Sequence, residues 1–130
     1  MPAPLGKVPT KRMPNIQVFG TDDSPATRGA LRFFRERRIV VRYVDLRKKP
    51  IARAELRRFT DHLGAVAILD TESRAYAEGG LAYLLTDTGG VFERLLADFR
   101  LMRLPLVRFG EQVTAGKDED AWRAWLQRPR

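Results

Sequence analysis

Residues 16–45 read IQVFGTDDSPATRGALRFFRERRIVVRYVD, and the fold is decided in this stretch. Ile16 to Phe19 is a short apolar run closed by Gly20, the pattern of a buried strand. After the polar Thr21-Asp22-Asp23, Ser24 followed by Pro25 signals a helix start. A serine hydroxyl accepts from the exposed N–H groups of a first turn, and the fixed φ of proline suits the first helical position. The segment from Pro25 to Arg38 then has helical periodicity. At about 100° per residue, Ala26, Ala30, Leu31, Phe33 and Phe34 share one side and Arg28, Arg32 and Arg35 line the other. Ile39 to Val44 is rich in β-branched residues and reads as a second strand ending at Asp45.

Outward from this unit, residues 1–14 hold four of the eight prolines and three cations with no apolar period, and read as a flexible tail. Downstream, Ala52, Leu56, Phe59 and Leu63 recur at helical spacing with Arg53 and Arg57 opposite, and Gly64 stops the helix. Residues 65–103 read mainly as helix, broken at Gly79-Gly80 and Gly89-Gly90. Their clearest piece is Val91 to Met102, with Leu95, Leu96 and Phe99 facing a core. Leu104 to Val107 reads as a strand with Pro105 at its entrance. Phe109-Gly110-Glu111-Gln112 turns the chain, and Val113 to Ala115 returns as a hairpin partner. Gly116 and Asp118 precede a last helix carrying Trp122, Trp125 and Leu126, and Asp118-Glu119-Asp120 suits the positive end of its dipole. The order is β-α-β-α, a helical middle, then β-β-α. The expected class is α/β, an α+β sandwich of thioredoxin-like plan around a mixed four-stranded sheet. The tail spans 1–14, and one domain spans 15–130 with a helical insertion at about 65–103.

Composition narrows the function. Of the 130 residues, 24 are Lys or Arg, 16 are Asp or Glu and none is Cys, for a formal charge of +8. Without cysteine there are no disulfides, thiolate metal sites or thiol nucleophiles. Residues 1–65 carry 15 basic and 6 acidic side chains, whereas residues 66–130 carry 9 and 10. The basic half could meet an acidic partner, yet Phe33 and Phe34 fall on the buried side, so no aromatic platform alternates with the arginines and nucleic acid is disfavoured. No apolar run approaches the roughly 18 residues of a membrane span, and the first residues lack the apolar centre of a signal peptide. A soluble, cytoplasmic protein with no membrane partner is expected. The acidic runs Asp22-Asp23 and Asp118-Glu119-Asp120 need only the helix dipole, so no metal is expected. His62, the sole histidine, reads as a surface residue at a helix end.

Several segments together carry a family resemblance. Ile16-Gln17-Val18-Phe19-Gly20, Ser24-x-x-x-Arg28-x-Ala30-Leu31 and Val44-Asp45-Leu46-Arg47-Lys48 resemble the opening of arsenate reductase (ArsC)/Spx-like proteins. Arg103-Leu104-Pro105-Leu106-Val107 and Gly116-Lys117-Asp118-Glu119-Asp120 resemble its end, and Tyr76, Gly80-Leu81 and Leu85-Thr86-Asp87 resemble its helical insert. The resemblance covers about residues 15–126. It implies a thioredoxin-type scaffold, a redox cysteine at the head of the first helix, a basic residue four positions on, and a cis-proline beside the active site.

The chemistry departs from that pattern at three positions. Ser24 stands where the redox members have cysteine, although the basic residue survives as Arg28. Leu104 stands where arsenate reductases place the arginine before the proline, and Asp70 aligns with another family arginine. A serine hydroxyl stays un-ionised near neutral pH and forms no mixed disulfide, and a carboxylate repels the oxyanion that arginine would hold. Arg103 and Arg74 are the nearby candidates to replace the lost cations.

The expected protein is therefore a redox-inactive member with no catalytic residue and no cofactor, binding a protein or a small anion. Its candidate groove is Thr21, Ser24, Arg28, Arg103 and Pro105, with Ser24 chiefly a helix cap; glutathione is a ligand only by resemblance. A basic face for a partner is expected at Arg32, Arg35, Arg53, Arg57 and Arg58. Two alternatives stay open: a glutaredoxin- or arsenate reductase-like thiol oxidoreductase, if Ser24 replaces a native cysteine or selenocysteine, and an Spx-like regulator that binds RNA polymerase.

Overall fold

The strands form one sheet in the order β2-β1-β3-β4: β1 is Ile16–Gly20, β2 Val41–Asp45, β3 Leu106–Phe109 and β4 Gln112–Ala115. β1 runs parallel to β2 and antiparallel to β3, and β3 pairs antiparallel with β4, so the sheet is mixed, as expected. The computed structural model describes residues 16–80 and 87–127. The expected tail and residues 81–86 of the insertion lie outside the described residues. The helices are α1 (Pro25–Glu36), α2 (Arg53–Leu63), α3 (Ala65–Ile68), α4 (Arg74–Gly79), α5 (Thr88–Ala97) and α6 (Glu119–Gln127), with a 3-10 turn at Phe99–Leu101. This is the thioredoxin-like arrangement, with α3 to α5 inserted between its halves.

Strand alternation divides the core between the two faces of the sheet. Ile16, Val18 and Val107 pack with Phe33 and Phe34 of α1 and Trp122 and Trp125 of α6. Phe19 and Leu106 point the other way, into a cluster with Leu56 and Phe59 of α2 and Ile68, Val91 and Leu95 of the insertion. The tryptophans thus pack on the sheet. Trp122 is fully buried, and its indole N–H donates to Thr114 Oγ1 at 2.9 Å, so burial leaves no orphaned donor.

Local chemistry corrects four sequence expectations. α1 ends at Glu36 because Arg37 caps it and Arg38 takes a positive φ of 61°. β2 begins only at Val41, since the Ile39 N–H turns back to Phe34 O at 2.9 Å and joins the helix-to-strand turn. Gly89 and Gly90 do not break a helix. They sit in the first turn of α5, where Asp87 Oδ1 accepts from the Gly90 N–H at 3.0 Å and the Asp87 carbonyl from Val91 N–H at 2.9 Å. The helix expected to reach Met102 stops at Ala97, because Asp98 takes an extended backbone and caps the short turn after it, its side chain accepting from Arg100 N–H at 2.9 Å.

The two ends of the insertion are clasped to each other. Asp70 N–H donates to Leu101 O and Arg103 N–H to Ile68 O, both at 2.7 Å, around an isolated Leu69–Met102 bridge. The Leu104–Pro105 peptide that follows is cis, and Pro105 O accepts from Gly116 N–H at 2.9 Å.

Candidate functional site

The head of α1, the loop after β2 and the clasped insertion enclose a groove of about 580 Å³, within the range of small-ligand sites. Thr21, Asp23, Ser24, Pro25 and Ala26 supply one wall, Arg47 one end, and Asp70, Phe99, Arg100, Met102 and Leu104 the other wall. Ser24 Oγ accepts from Thr27 N–H at 3.2 Å, and Ser24 N–H donates to Thr21 O at 3.2 Å. The hydroxyl is therefore engaged as the helix cap that the Ser24-Pro25 signal implied.

The charges of the groove are largely matched. Arg47 pairs with Asp23, whose carboxyl also accepts from Thr21 Oγ1 at 2.8 Å. The Thr21 hydroxyl and the Arg47 guanidinium hold the Asp23 carboxyl below its ordinary value. Arg100 grips Asp98 through Nε at 3.0 Å and Nη2 at 2.9 Å, and this pairing lowers the Asp98 pKa. Asp70 adds a carboxylate, with Oδ1 accepting from Glu72 N–H at 3.1 Å. An oxyanion placed here would meet two guanidiniums already engaged and a nearby negative charge.

Of the expected groove residues, Thr21 and Ser24 line it, whereas Arg28, Arg103 and Pro105 do not. Arg28 folds over the turn and donates to Asp22 O at 3.0 Å. Asp22 also accepts from the Tyr43 hydroxyl at 2.8 Å, and burial together with that carboxylate raises the Tyr43 pKa. Arg103 donates to Leu69 O at 3.1 Å and Ala67 O at 3.4 Å, so its guanidinium braces α3. Arg74, the other proposed substitute, is exposed and not among the lining residues. Pro105 lies behind Leu104. Sequence reasoning missed the lining roles of Asp23, Arg47 and Arg100. Arg47 and Asp23 stand 24 residues apart, and only the parallel pairing of β1 with β2 brings them together.

The expected basic face divides in two. Arg32 and Arg35 are exposed on α1, which packs on one face of the sheet, and Arg53, Arg57 and Arg58 lie on α2, which packs on the other. Arg53 binds Glu93 at 2.8 and 3.3 Å, Arg57 stands 4.6 Å over the Phe92 ring, and Arg58 lies 3.6 Å from Glu55. His62, exposed at the end of α2, contacts Arg58 O at 3.0 Å and does not line the groove. Among the described residues, no cluster of three His, Asp or Glu side chains could hold a metal ion, and no helix is long and apolar enough to cross a membrane.

The model of the ArsC family matches residues 19–125. Among solved structures, the YffB protein superposes with a TM-score of 0.77 at 21% identity, covering 85% of this chain and 97% of its own. An ArsC family related protein from Bacteroides fragilis gives 0.76 at 17% identity, covering 85% and 96%. The arsenate reductase from Vibrio cholerae gives 0.72 at 17% identity, covering 81% and 92%. A search of curated proteins found no match. At these identities the structural likeness establishes the fold.

Proposed function

Because the chain belongs to the ArsC family, we propose that it is a member that has given up thiol chemistry and works by binding, with the groove at the head of α1 as its binding surface. One observation carries this reading: the chain has no cysteine, and Ser24, the residue that the resemblance aligns with the family's thiol, has its hydroxyl engaged as a cap. A serine oxygen there neither ionises near neutral pH nor forms the mixed disulfide that reduction requires. Glutathione, implied as a ligand by resemblance, has no thiol here to react with.

Of the two occupants considered, a protein segment has the better support. The groove's guanidiniums are engaged by carboxylates, while Pro25, Ala26, Phe99, Met102 and Leu104 offer an apolar wall. Binding to RNA polymerase has less support, since Arg53, Arg57 and Arg58 of α2, the part of the basic face that could hold it, are engaged by Glu93, Phe92 and Glu55. The thiol oxidoreductase reading keeps one support, the position of Ser24 in the groove wall, and the codon for residue 24 in the natural gene decides it.

The test is capture from lysate at low and moderate salt, with the wild-type protein and a Leu104→Asp variant as parallel baits. A partner retained by the wild type and lost by the variant is expected. An empty eluate at low salt, or a partner held equally by both baits, contradicts binding at the groove.

A further inference from the structure

The sheet order leaves β2 with one neighbour, so its other edge is open among the described residues. Leu46, the residue after β2, donates its N–H to Gly20 O at 2.8 Å. Alternation then directs the backbone groups of Arg42 and Val44 toward β1 and those of Val41 and Tyr43 toward the open edge. Open edges of this kind usually carry some device against uncontrolled pairing, and charge is a common one.

Beside this edge runs a second groove, of about 440 Å³, lined by Leu31 and Arg35 of α1 and by Arg38, Ile39, Val40 and Val41. Val40 is 67% exposed, the more open of two exposed large aliphatic side chains among the described residues, the other being Val66. Arg35 and Arg38 line this groove, Arg32 lies one turn before Arg35 on α1, and Arg42 follows Val41 on the other face of β2; all four are exposed, and none makes an ion pair among the described residues. In the groove at the head of α1, by contrast, both arginines are paired.

We propose that the open edge of β2 takes up an extended acidic segment of a partner protein as a fifth strand. An added strand draws affinity from main-chain hydrogen bonds and specificity from alternate side chains. One set of its side chains lies toward α1, over Leu31 and Val41, and favours aliphatic groups. The other lies on the face of Arg42 and favours carboxylates, while Arg35 and Arg38, on the α1 side, add a positive field along the whole edge. Charge disfavours the competing occupants. A second copy pairing through β2 sets these arginines against their own copies, and residues 1–15 carry three cations and no acid. The site shares no residue with the groove at Ser24 and does not depend on it.

Fluorescence anisotropy with a labelled peptide alternating Glu and Val tests the proposal. Saturable binding at low salt is expected, weakened about tenfold or more by N-methylating the peptide backbone, by Val40→Glu and by Arg35→Glu. A peptide alternating Lys and Val is expected not to bind, and Leu104→Asp to bind the acidic peptide as the wild type does, which separates this edge from the other groove. No binding, or equal binding of the methylated and unmethylated peptides, overturns the proposal. A sedimentation dimer abolished by Val40→Glu also overturns it, because a second copy then occupies the edge.

Discussion

Beneath the head of α1, the Thr27 hydroxyl is buried with no hydrogen-bond partner, packed so closely against Gly20 that a Cβ there would lie 2.3 Å from Oγ1. An orphaned buried hydroxyl costs about 1–3 kcal/mol relative to a satisfied one, so Thr27→Val, which keeps the shape and removes the oxygen, is expected to stabilise the protein by about 1 kcal/mol in urea denaturation. Gly20 is fixed by the same contact, since any side chain drives into a β-branched neighbour. Ser24 invites the opposite experiment. A Ser24→Cys thiol sits at the positive end of a twelve-residue helix and is expected to alkylate with an apparent pKa below the ordinary value of about 8.5; an unshifted value would mean that the helix end does not act on this position. The roles of Ser24 and Thr27 differed in legibility. Ser24-Pro25 announces its cap in two adjacent residues, whereas the burial of Thr27 follows from its approach to Gly20, which only the packed α1–β1 pair creates.

Among the elements, α2 is tied to the sheet by Arg108 of β3, whose Nε donates to Glu55 Oε2 at 2.6 Å, with the side chains only 12% and 19% exposed. Glu55→Gln leaves the guanidinium largely desolvated beside a neutral amide, and a loss of about 2 kcal/mol is expected in chemical denaturation. The exposed pairs act through pH. Asp23, Glu93 and Asp98 all have carboxyl pKa values lowered in the folded protein by hydrogen-bonding and cationic neighbours. Lowered native values mean that the unfolded chain binds more protons in that window, so stability rises with pH there. Their contribution is complete above the ordinary carboxylate range and is lost as pH falls through the lowered native values. The denaturation midpoint is expected to drop below about pH 4, with a shallower drop in Asp98→Asn, whose group no longer titrates. Elements with matching local signals were legible: the β1–α1 unit, the Gly64 stop and the hairpin at Gly110. Those decided by competing side chains were not. Asp87 overrides two glycines to start α5, and Asp98 ends it five residues before the apolar pattern does.

At the scale of the molecule, an ArsC-family scaffold stands complete around a position without sulfur. The sheet and the clasped insertion frame a groove, while Leu104 and Asp70 stand where the resemblance placed arginines, and the arginines that line the groove are paired. The scaffold was legible because it rests on periodicity and turn residues spread along the chain. The groove's charge balance was not, because Arg47 meets Asp23, and Arg53 meets Glu93, only after strands and helices far apart in sequence are assembled. Loss of thiol chemistry is tested directly by measuring reduction of arsenate and of a disulfide by the wild-type protein in glutathione-, glutaredoxin- and thioredoxin-coupled assays. Rates indistinguishable from the assay without protein are predicted, and turnover well above that background would contradict the account.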